Sequence, residues 1–402
     1  EDVGVVDCPM PEPFTAKIGI TVFLAWLFFL GFVTRVMFAP LMPAIEQELG
    51  LNHSQAGGLF FMMSFGYMLA PLCSGLISSK LNHRGNLIVS AWAVGIVLIP
   101  LGFVKDLWLI HILLLLIGLS ASLHLPSAIA TITAEVQKAD WGKALSVHQC
   151  APPVSFVSAP LLAAMLLNWF SWRNVLLLWA AIILLSALAY SFGGRGGDFP
   201  GQLPGPKSIK PIVTKPAFWI MVLLFSMAMG GNAGIYAMLP LFFVNERGFD
   251  LASANMLIGL SQLPGVVMVF VAGWITDKIG QKPTMIITLL ATAILTVLLG
   301  VAKGKVLIIV LFLQPALLSS FFPAAFAALS RIAPPSMRSV TNALGPPLAF
   351  LIGGGTLPAI IGYMGTAYTF SMGIIAVGCF IALGPFLVFF LKLGQYDDQS
   401  GC

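Results

Sequence analysis

Twelve stretches of about twenty apolar residues follow one another along this chain. They lie at 16–44, 54–79, 86–104, 108–134, 143–167, 171–192, 217–244, 253–276, 283–302, 306–331, 340–364 and 368–391. That length is what an α-helix needs to cross the hydrocarbon core of a bilayer. The apolar residues run continuously instead of alternating between two faces, which excludes a membrane β-barrel. Of 402 residues, 58% are hydrophobic and 9% are charged, whereas an average soluble domain carries about 25% charged residues. Too little polar surface remains to coat a soluble enzyme, and the chain is too apolar for a disordered segment or a coiled coil. The sequence reads as an all-α membrane protein with twelve transmembrane helices, numbered 1 to 12 in order.

One connector is longer and more polar than the others. Residues 193–215 crowd Gly and Pro with Lys207, Lys210 and Lys215, and no helical period runs through them, the mark of a linker. It divides the chain into an N-terminal tail (1–15), a first six-helix bundle (16–192), the linker (193–215), a second bundle (216–392) and a C-terminal tail (393–402). With both termini inside, the inner segments hold 14 Lys and Arg and the outer loops hold 5. That bias predicts cytoplasmic termini and linker in an inner, or plasma, membrane. The start is acidic (Glu1, Asp2, Asp7, Glu12), without the basic region or cleavage site of a secretory signal, and its lack of an initiator Met reads as a processed start. Cys8, Cys73, Cys150, Cys379 and Cys402 are scattered, so neither a disulfide framework nor a zinc site is expected.

The two halves match at an offset of about 197 residues. Met42-Pro43 corresponds to Leu239-Pro240, Gly50 to Gly248, Gly75 to Gly273, Leu125-Pro126 to Phe322-Pro323, and Pro152-Pro153, after a small indel, to Pro346-Pro347. Five matches in the same order point to two pseudo-symmetric six-helix bundles. Parallel repeats of this kind rock about a central site in transporters with alternating access.

In this arrangement, and in the loop between helices 8 and 9, the sequence resembles the major facilitator superfamily. That loop reads Gly273-Trp-Ile-Thr-Asp277-Lys278-Ile-Gly280-Gln281-Lys282, close to the family pattern G-x-x-x-D-R/K-x-G-R/Q-K/R. The helix 2–3 copy is degraded, with Ser79 for the Asp and Asn82 for the Gly. The resemblance covers the whole chain. It implies a gate on the cytoplasmic side in which Asp277, with Lys278 and Lys282, faces Lys143 at the start of helix 5. An acid near a helix N-terminus and a Lys is favoured by dipole and charge. The symmetric pair, Ser79 toward Arg338, has lost its acid, so an asymmetric gate is expected. The alternative is that Asp277 and Lys282 are solvated loop charges.

Arg35 is the residue most informative about function. It interrupts the apolar run of helix 1, where a charge costs about 2.5–3.5 kcal/mol on insertion scales. Arginine cannot shed its proton to escape. The 15 Asp and Glu residues fall in termini, loops or helix ends, Glu46 and Glu135 coming closest to the membrane. Three readings stand: Arg35 grips an anionic substrate through its two-pronged guanidinium, it snorkels to the outer surface, or it ties helices together through carbonyls. An Arg inside helix 1 resembles the organophosphate:phosphate antiporter and anion:cation symporter branches, in which it contacts the anionic group. Ser146-Val-His148-Gln149-Cys150-Ala151 is similar to the glycerol-phosphate branch. Carriers of that branch place a second Arg in helix 7, where Asn232 stands here. One positive charge suits a monovalent anion.

His124 in helix 4 and His148 in helix 5 are the obvious protonatable candidates at membrane depth. They carry protons, hydrogen-bond a substrate, or sit neutral against a backbone carbonyl. Tyr67, Gln149, Asn232, Tyr236, Gln262, Gln314 and Asn342 are further polar residues inside apolar helices, which line a cavity or bond neighbouring helices. Tyr236 and Asn232 lie near the break that Pro240 introduces. Helix 5 has no glycine between Lys143 and Leu167, unlike the glycine-patterned helix 5 of proton-driven drug antiporters. No phosphate-binding loop, metalloprotease motif or activated nucleophile is present, so no enzyme activity, cofactor, metal or nucleic-acid partner is expected.

The expectation is a monomeric secondary transporter of a small, monocarboxylate-like organic anion, working by alternating access and coupled to a proton or a counter-anion. Arg35 is expected to hold the anion, with His124, His148, Gln149, Asn232, Tyr236, Gln262, Tyr67, Gln314 and Asn342 around it. The alternatives are efflux of a neutral or cationic amphiphile, and a non-transporting receptor or assembly protein on the same scaffold.

Overall fold

The computed structural model describes residues 14–201, 206–334 and 337–392. The C-terminal tail, and residues 1–13 of the N-terminal tail, lie outside the described residues. Within them all regular structure is helical. Eleven continuous runs are long and apolar enough to cross a membrane. One of them, His53–Leu101, has 49 residues and would extend about 73 Å at 1.5 Å per residue, far beyond the hydrocarbon core. It is two crossings, parted at Asn82, whose φ of 60° and ψ of 177° are not helical. The membrane helices are therefore α1 (Lys17–Leu49), α2 (53–81), α3 (83–101), α4 (Leu107–Glu135), α5 (Lys138–Leu166), α6 (Trp172–Gly193), α7 (Pro216–Asn245), α8 (251–279), α9 (Gln281–Val301), α10 (Gly304–Arg331), α11 (Val340–Ala367) and α12 (Phe370–Phe390).

Asn82 occupies the motif position that Gly280 fills in the second half, where φ is 89° and ψ 166°. This backbone region is nearly reserved for glycine. Asn82 holds it with its side chain, whose Oδ1 accepts the N–H of Gly85 at 2.8 Å and caps the helix that follows. An acid from the linker lies at this turn: Asp198 is 3.8 Å from Arg84. The linker backbone also runs along the α2–α3 turn, with the N–H of Arg84 donating to Gly197 at 2.9 Å and that of Gly201 to Ser78 at 3.0 Å.

Prolines set the bends. A proline has no N–H for the carbonyl four residues back, and the helices break three residues before Pro40, Pro126, Pro153 and Pro323, at Met37, Leu123, Cys150 and Ser320. In α7 and α11 the relief takes another form, a widened π-turn at Gly230–Gly234 and at Leu351–Thr356. Such turns free carbonyls and recur at functional sites.

The internal repeat is visible in matching clasps on the side opposite the termini, here the far side. Glu48, in the last turn of α1, accepts from Trp172 Nε1 at 2.6 Å and Arg173 Nε at 2.7 Å at the start of α6. Glu246, 198 residues later, accepts from the backbone N–H of Phe370 and the hydroxyl of Ser371, the latter at 2.7 Å, at the start of α12. The guanidinium of Arg173 donates to the Val104 carbonyl past the end of α3 at 2.7 Å, and that of Arg247 to the Gly300 carbonyl at the end of α9 at 2.8 Å.

Large apolar side chains such as Leu185, Val301 and Phe389 stand exposed on the outside, the surface that lipid covers. Trp108, Trp169, Tyr363 and Tyr368 project at far-side helix ends, where aromatic side chains meet headgroups. The chain is a multi-pass membrane protein. Contacts between the bundles concentrate on the far side. Asn255 of α8 donates to the Pro40 carbonyl of α1 at 3.1 Å, and the N–H of Ser54 in α2 donates to Thr366 of α11 at 2.9 Å. Gly57 of α2 lies so close to Pro358 of α11 that a β-carbon would sit 2.7 Å from its carbonyl oxygen.

Candidate functional site

Arg35 sits one turn before the Pro40 break of α1 and is 8% exposed. Its Nη1 donates to Ser122 Oγ of α4 at 3.2 Å, and Ser122 donates in turn to the Gly118 carbonyl. The guanidinium lies 4.5 Å from the ring centres of Phe32 and Tyr67 and 5.4 Å from that of Phe350. Phe350 belongs to the other bundle, so the side chain points between the bundles and away from lipid. Aromatic faces attract a cation through their quadrupole but do not neutralise it. Nε has no hydrogen-bond partner, and among the described residues no carboxylate pairs with Arg35.

The guanidinium borders a narrow cleft between the bundles. α1 and α2 contribute Phe32, Val36, Phe60, Met63, Ser64 and Tyr67; α5 contributes Phe156. The second bundle adds Ala233, Tyr236, Ala237, Phe350 and Gly354. The Ala and Gly positions belong to or adjoin the two π-turns and present backbone and methyl groups beside the Tyr236 and Phe350 rings. Tyr236, 3% exposed, packs edge-on against Phe156 at 4.8 Å, and its hydroxyl has no partner among the described residues. The cavity thus offers one cation and the hydroxyl groups of Ser64 and Tyr67 from one bundle and one free hydroxyl from the other, in a largely apolar shell.

Of the ten residues expected around the substrate, the structure brings Arg35, Tyr67 and Tyr236 together at this cavity. Gln314 is buried elsewhere, donating to the Gly231 carbonyl at 2.8 Å and to Thr296 at 3.3 Å, so it satisfies the π-turn of α7. Asn342 donates to Ser330 at 3.3 Å and links α11 to α10. Gln262 reaches Ser261 at 3.3 Å in the break of α8. Gln149 is exposed and Asn232 half-buried, and neither lines the cavity. His124 and His148 face each other, Nε2 to Nε2 at 3.4 Å, one step toward the termini from Arg35. Phe28 stacks on both rings, at 5.5 Å from His124 and 4.7 Å from His148.

The gate residues lie at the opposite end from the far-side contacts. Asp277 and Lys278 are exposed, and Lys278 lies 3.8 Å over Trp274. Lys143 bonds Asp140 at 2.7 Å. Lys282 and Arg338 are half-buried. The Asp277–Lys143 latch is not made in this conformation, in which the far side is closed.

Three features were not anticipated. Phe28, Phe32 and Arg35 share one face of α1, a spacing of four and three residues that was legible in principle. Ser122 gave no sign of its role. Glu46, 8% exposed, receives His53 Nδ1 at 2.9 Å, and the His53 ring packs at 4.6 Å on Phe370 of the other bundle. Seven residues separate this pair across the α1–α2 turn, so their proximity was also readable.

Comparison with known proteins agrees with the architecture. The family model described as Major Facilitator Superfamily matches residues 24–305 and 251–400. An uncharacterized MFS-type transporter, YuxJ of Bacillus subtilis, is 23% identical over 85% of this chain and 88% of its own. A probable sulfoacetate transporter, SauU of Cupriavidus necator, is 22% identical over 64% of each chain, and the multidrug resistance protein MdtG of Salmonella typhimurium is 24% identical over 72% of this chain and 74% of its own. Among solved structures, a bacterial homolog of the human lysosomal transporter Spinster superposes with a TM-score of 0.81 at 14% identity, covering 95% of this chain and 97% of that one. A D-xylose-proton symporter gives 0.76 at 16% identity over 96% and 100%. Twelve helices in two repeats, the Asp277 motif and these matches together place the chain in the major facilitator superfamily, among transporters and not enzymes.

Proposed function

We propose that this transporter carries a small organic monoanion with an apolar body, by alternating access, and that Arg35 holds the anionic group. One observation carries the reading: a buried guanidinium borders the cavity, and among the described residues no carboxylate neutralises it. A bound carboxylate or sulfonate supplies the missing charge, and charge-assisted hydrogen bonds to a guanidinium contribute about 1.5–3 kcal/mol. Tyr236 supplies one further hydrogen bond from the second bundle. Phe32, Phe60, Met63 and Phe156 suit a hydrocarbon body. The probable sulfoacetate transporter among the relatives supports an organic-anion cargo. Sulfoacetate bears two acidic groups and this cavity bears one cation, so a single-charged acid fits better here. With the termini in the cytoplasm, as the basic loops indicate, the conformation opens inward. The anion then travels with a proton or in exchange for another anion.

A second reading is efflux of an amphiphile, favoured by the apolar lining and by the multidrug-resistance relative. A thermal-shift screen separates the two, with lactate, sulfoacetate, a phosphate monoester and a lipophilic cation on wild type and Arg35→Ala. A monoanion should stabilise wild type, and the mutation should weaken its binding about 10- to 150-fold, the span that 1.5–3 kcal/mol represents. Equal stabilisation of both proteins by that anion overturns the role of Arg35. Stabilisation by the lipophilic cation alone favours efflux.

A further inference from the structure

The hydrogen count at the two histidines has two solutions. A contact between two Nε2 atoms holds a single hydrogen, one ring donating and the other accepting. In one of these solutions His124 keeps its hydrogen on Nδ1. Its Nε2 is then the acceptor of the 3.4 Å contact, and His148 Nε2–H is the donor. The remaining nitrogen, His148 Nδ1, is then a bare lone pair. It is buried with no hydrogen-bond partner, and His148 is 0% exposed.

We infer that His148 Nδ1, backed by His124, is a proton-binding site through which the anion's movement is coupled to a proton. A proton arriving at Nδ1 makes His148 an imidazolium whose Nε2–H still points at His124 Nε2, so the charge is held by a preformed acceptor. The Phe28 ring lies parallel to His148 within 1° at 4.7 Å and presents its π-face to that charge. Most ionisable groups on the surrounding helices have partners of their own. Lys17 of α1 pairs with Glu135 of α4 at 3.7 Å, Arg84 of α3 with Asp198 at 3.8 Å, and Lys143 of α5 with Asp140 at 2.7 Å. His83 of α3 bonds Ser127 at 3.0 Å, and Tyr190 of α6 packs on Phe23. Arg35, the remaining cation on α1, is separated from the pair by a column of rings: Phe28 meets Phe32 at 6.0 Å, and Phe32 meets the guanidinium. The proton and anion sites are therefore neighbours without contact. One proton at His148 and one monoanion at Arg35 leave the loaded carrier with the charge of the empty one, so the transported pair is neutral. The coupling rests on the anion reading of Arg35; the proton site itself does not.

Two measurements test this, and the first needs no substrate. Nitrogen NMR of histidine-labelled protein in lipid nanodiscs should show His148 Nδ1 without hydrogen at high pH. On acidification it should gain one, and the His124 Nε2 resonance should move with it. A hydrogen on His148 Nδ1 at every pH, or a His124 signal indifferent to His148→Gln, overturns the site. The second is labelled lactate in proteoliposomes. Uptake in wild type should rise at least tenfold under an inward proton gradient and be unmoved by a membrane potential. In His148→Gln the ratio of uptake with and without the gradient should fall to about one. A ratio equal to wild type overturns the coupling. If wild type does not exchange lactate, the anion reading fails, and the NMR still decides the proton site.

Discussion

Gly57 offers the sharpest handle on the conformational equilibrium. It lies on α2 where that helix crosses α11, and a β-carbon there would stand 2.7 Å from the Pro358 carbonyl oxygen and 2.9 Å from the Ala359 α-carbon. Ordinary contact begins near 3.4 Å, so Gly57→Ala requires the two backbones to part by about 0.7 Å. Neither neighbour is a side-chain tip that can swing aside. Overpacking of this kind costs about 1–3 kcal/mol. The cost falls only on the conformation whose far side is closed, because α2 and α11 belong to different bundles and separate when that side opens. The gain in helix propensity from Gly to Ala, about 1 kcal/mol, is the same in both conformations and cancels. The equilibrium should move toward the far-side-open form by about 5- to 150-fold, at 1.4 kcal/mol per tenfold. A single cysteine at Ala237 on the cavity wall, in a chain with the native cysteines replaced by serine, reports it. An impermeant maleimide added from the far side should label Gly57→Ala at least fivefold faster than its Gly57 parent. An unchanged rate, in protein that still unfolds cooperatively, refutes the claim that this backbone contact holds the far side shut.

Two other variants are informative. Asp277→Asn should leave the thermal stability of the observed conformation within about 0.5 kcal/mol, since Asp277 is exposed and makes no ion pair here; it should slow far-side labelling and turnover, because the opposite conformation loses its latch. Faster labelling would contradict that role. At Asn82, Ala should lower thermal stability by about 1 kcal/mol by removing the cap on Gly85 while keeping the unfavourable backbone. Gly should be more stable than Ala by about 1–3 kcal/mol, and the reverse order in thermal unfolding would show the backbone there is unstrained.

The fold was legible because hydropathy at twenty-residue scale is a property of contiguous sequence. The break near Asn82 was legible too, as the gap between the apolar stretches 54–79 and 86–104. The site was only half legible. A charge inside an apolar run announces that Arg35 must be buried against something, but Phe350 reaches it only because α11 packs on α2. Gln314 shows the opposite failure. A buried glutamine reads as a cavity residue, yet its partner is a carbonyl that the π-turn of α7 releases, and no residue-level pattern foretells that widening. The histidine pair fell between these cases. Each histidine was visible as a candidate, but that two particular nitrogens face each other and leave His148 Nδ1 without a partner follows from the breaks in α4 and α5.

The places where the repeat is kept and lost divide the molecule by task. Glu48 and Glu246 fasten helix starts at equivalent positions 198 residues apart, a purely internal duty of each bundle that both still need. At the cavity the equivalence ends: Arg35 has Asn232 as its mate, and the second bundle presents Ala233, Ala237 and Gly354 with the Tyr236 hydroxyl. A cargo held by charge on both bundles would tie them together and resist their rocking. With the charge on one bundle, the cargo stays with that bundle while the other closes over it through dispersion contacts and a single neutral hydrogen bond, about 1 kcal/mol. That contact is weak enough to break in every cycle, and it forms only around a cargo small enough for Tyr236 to reach. On this logic the guanidinium sets which cargo binds, and the smooth wall opposite sets which bound cargo lets the halves close.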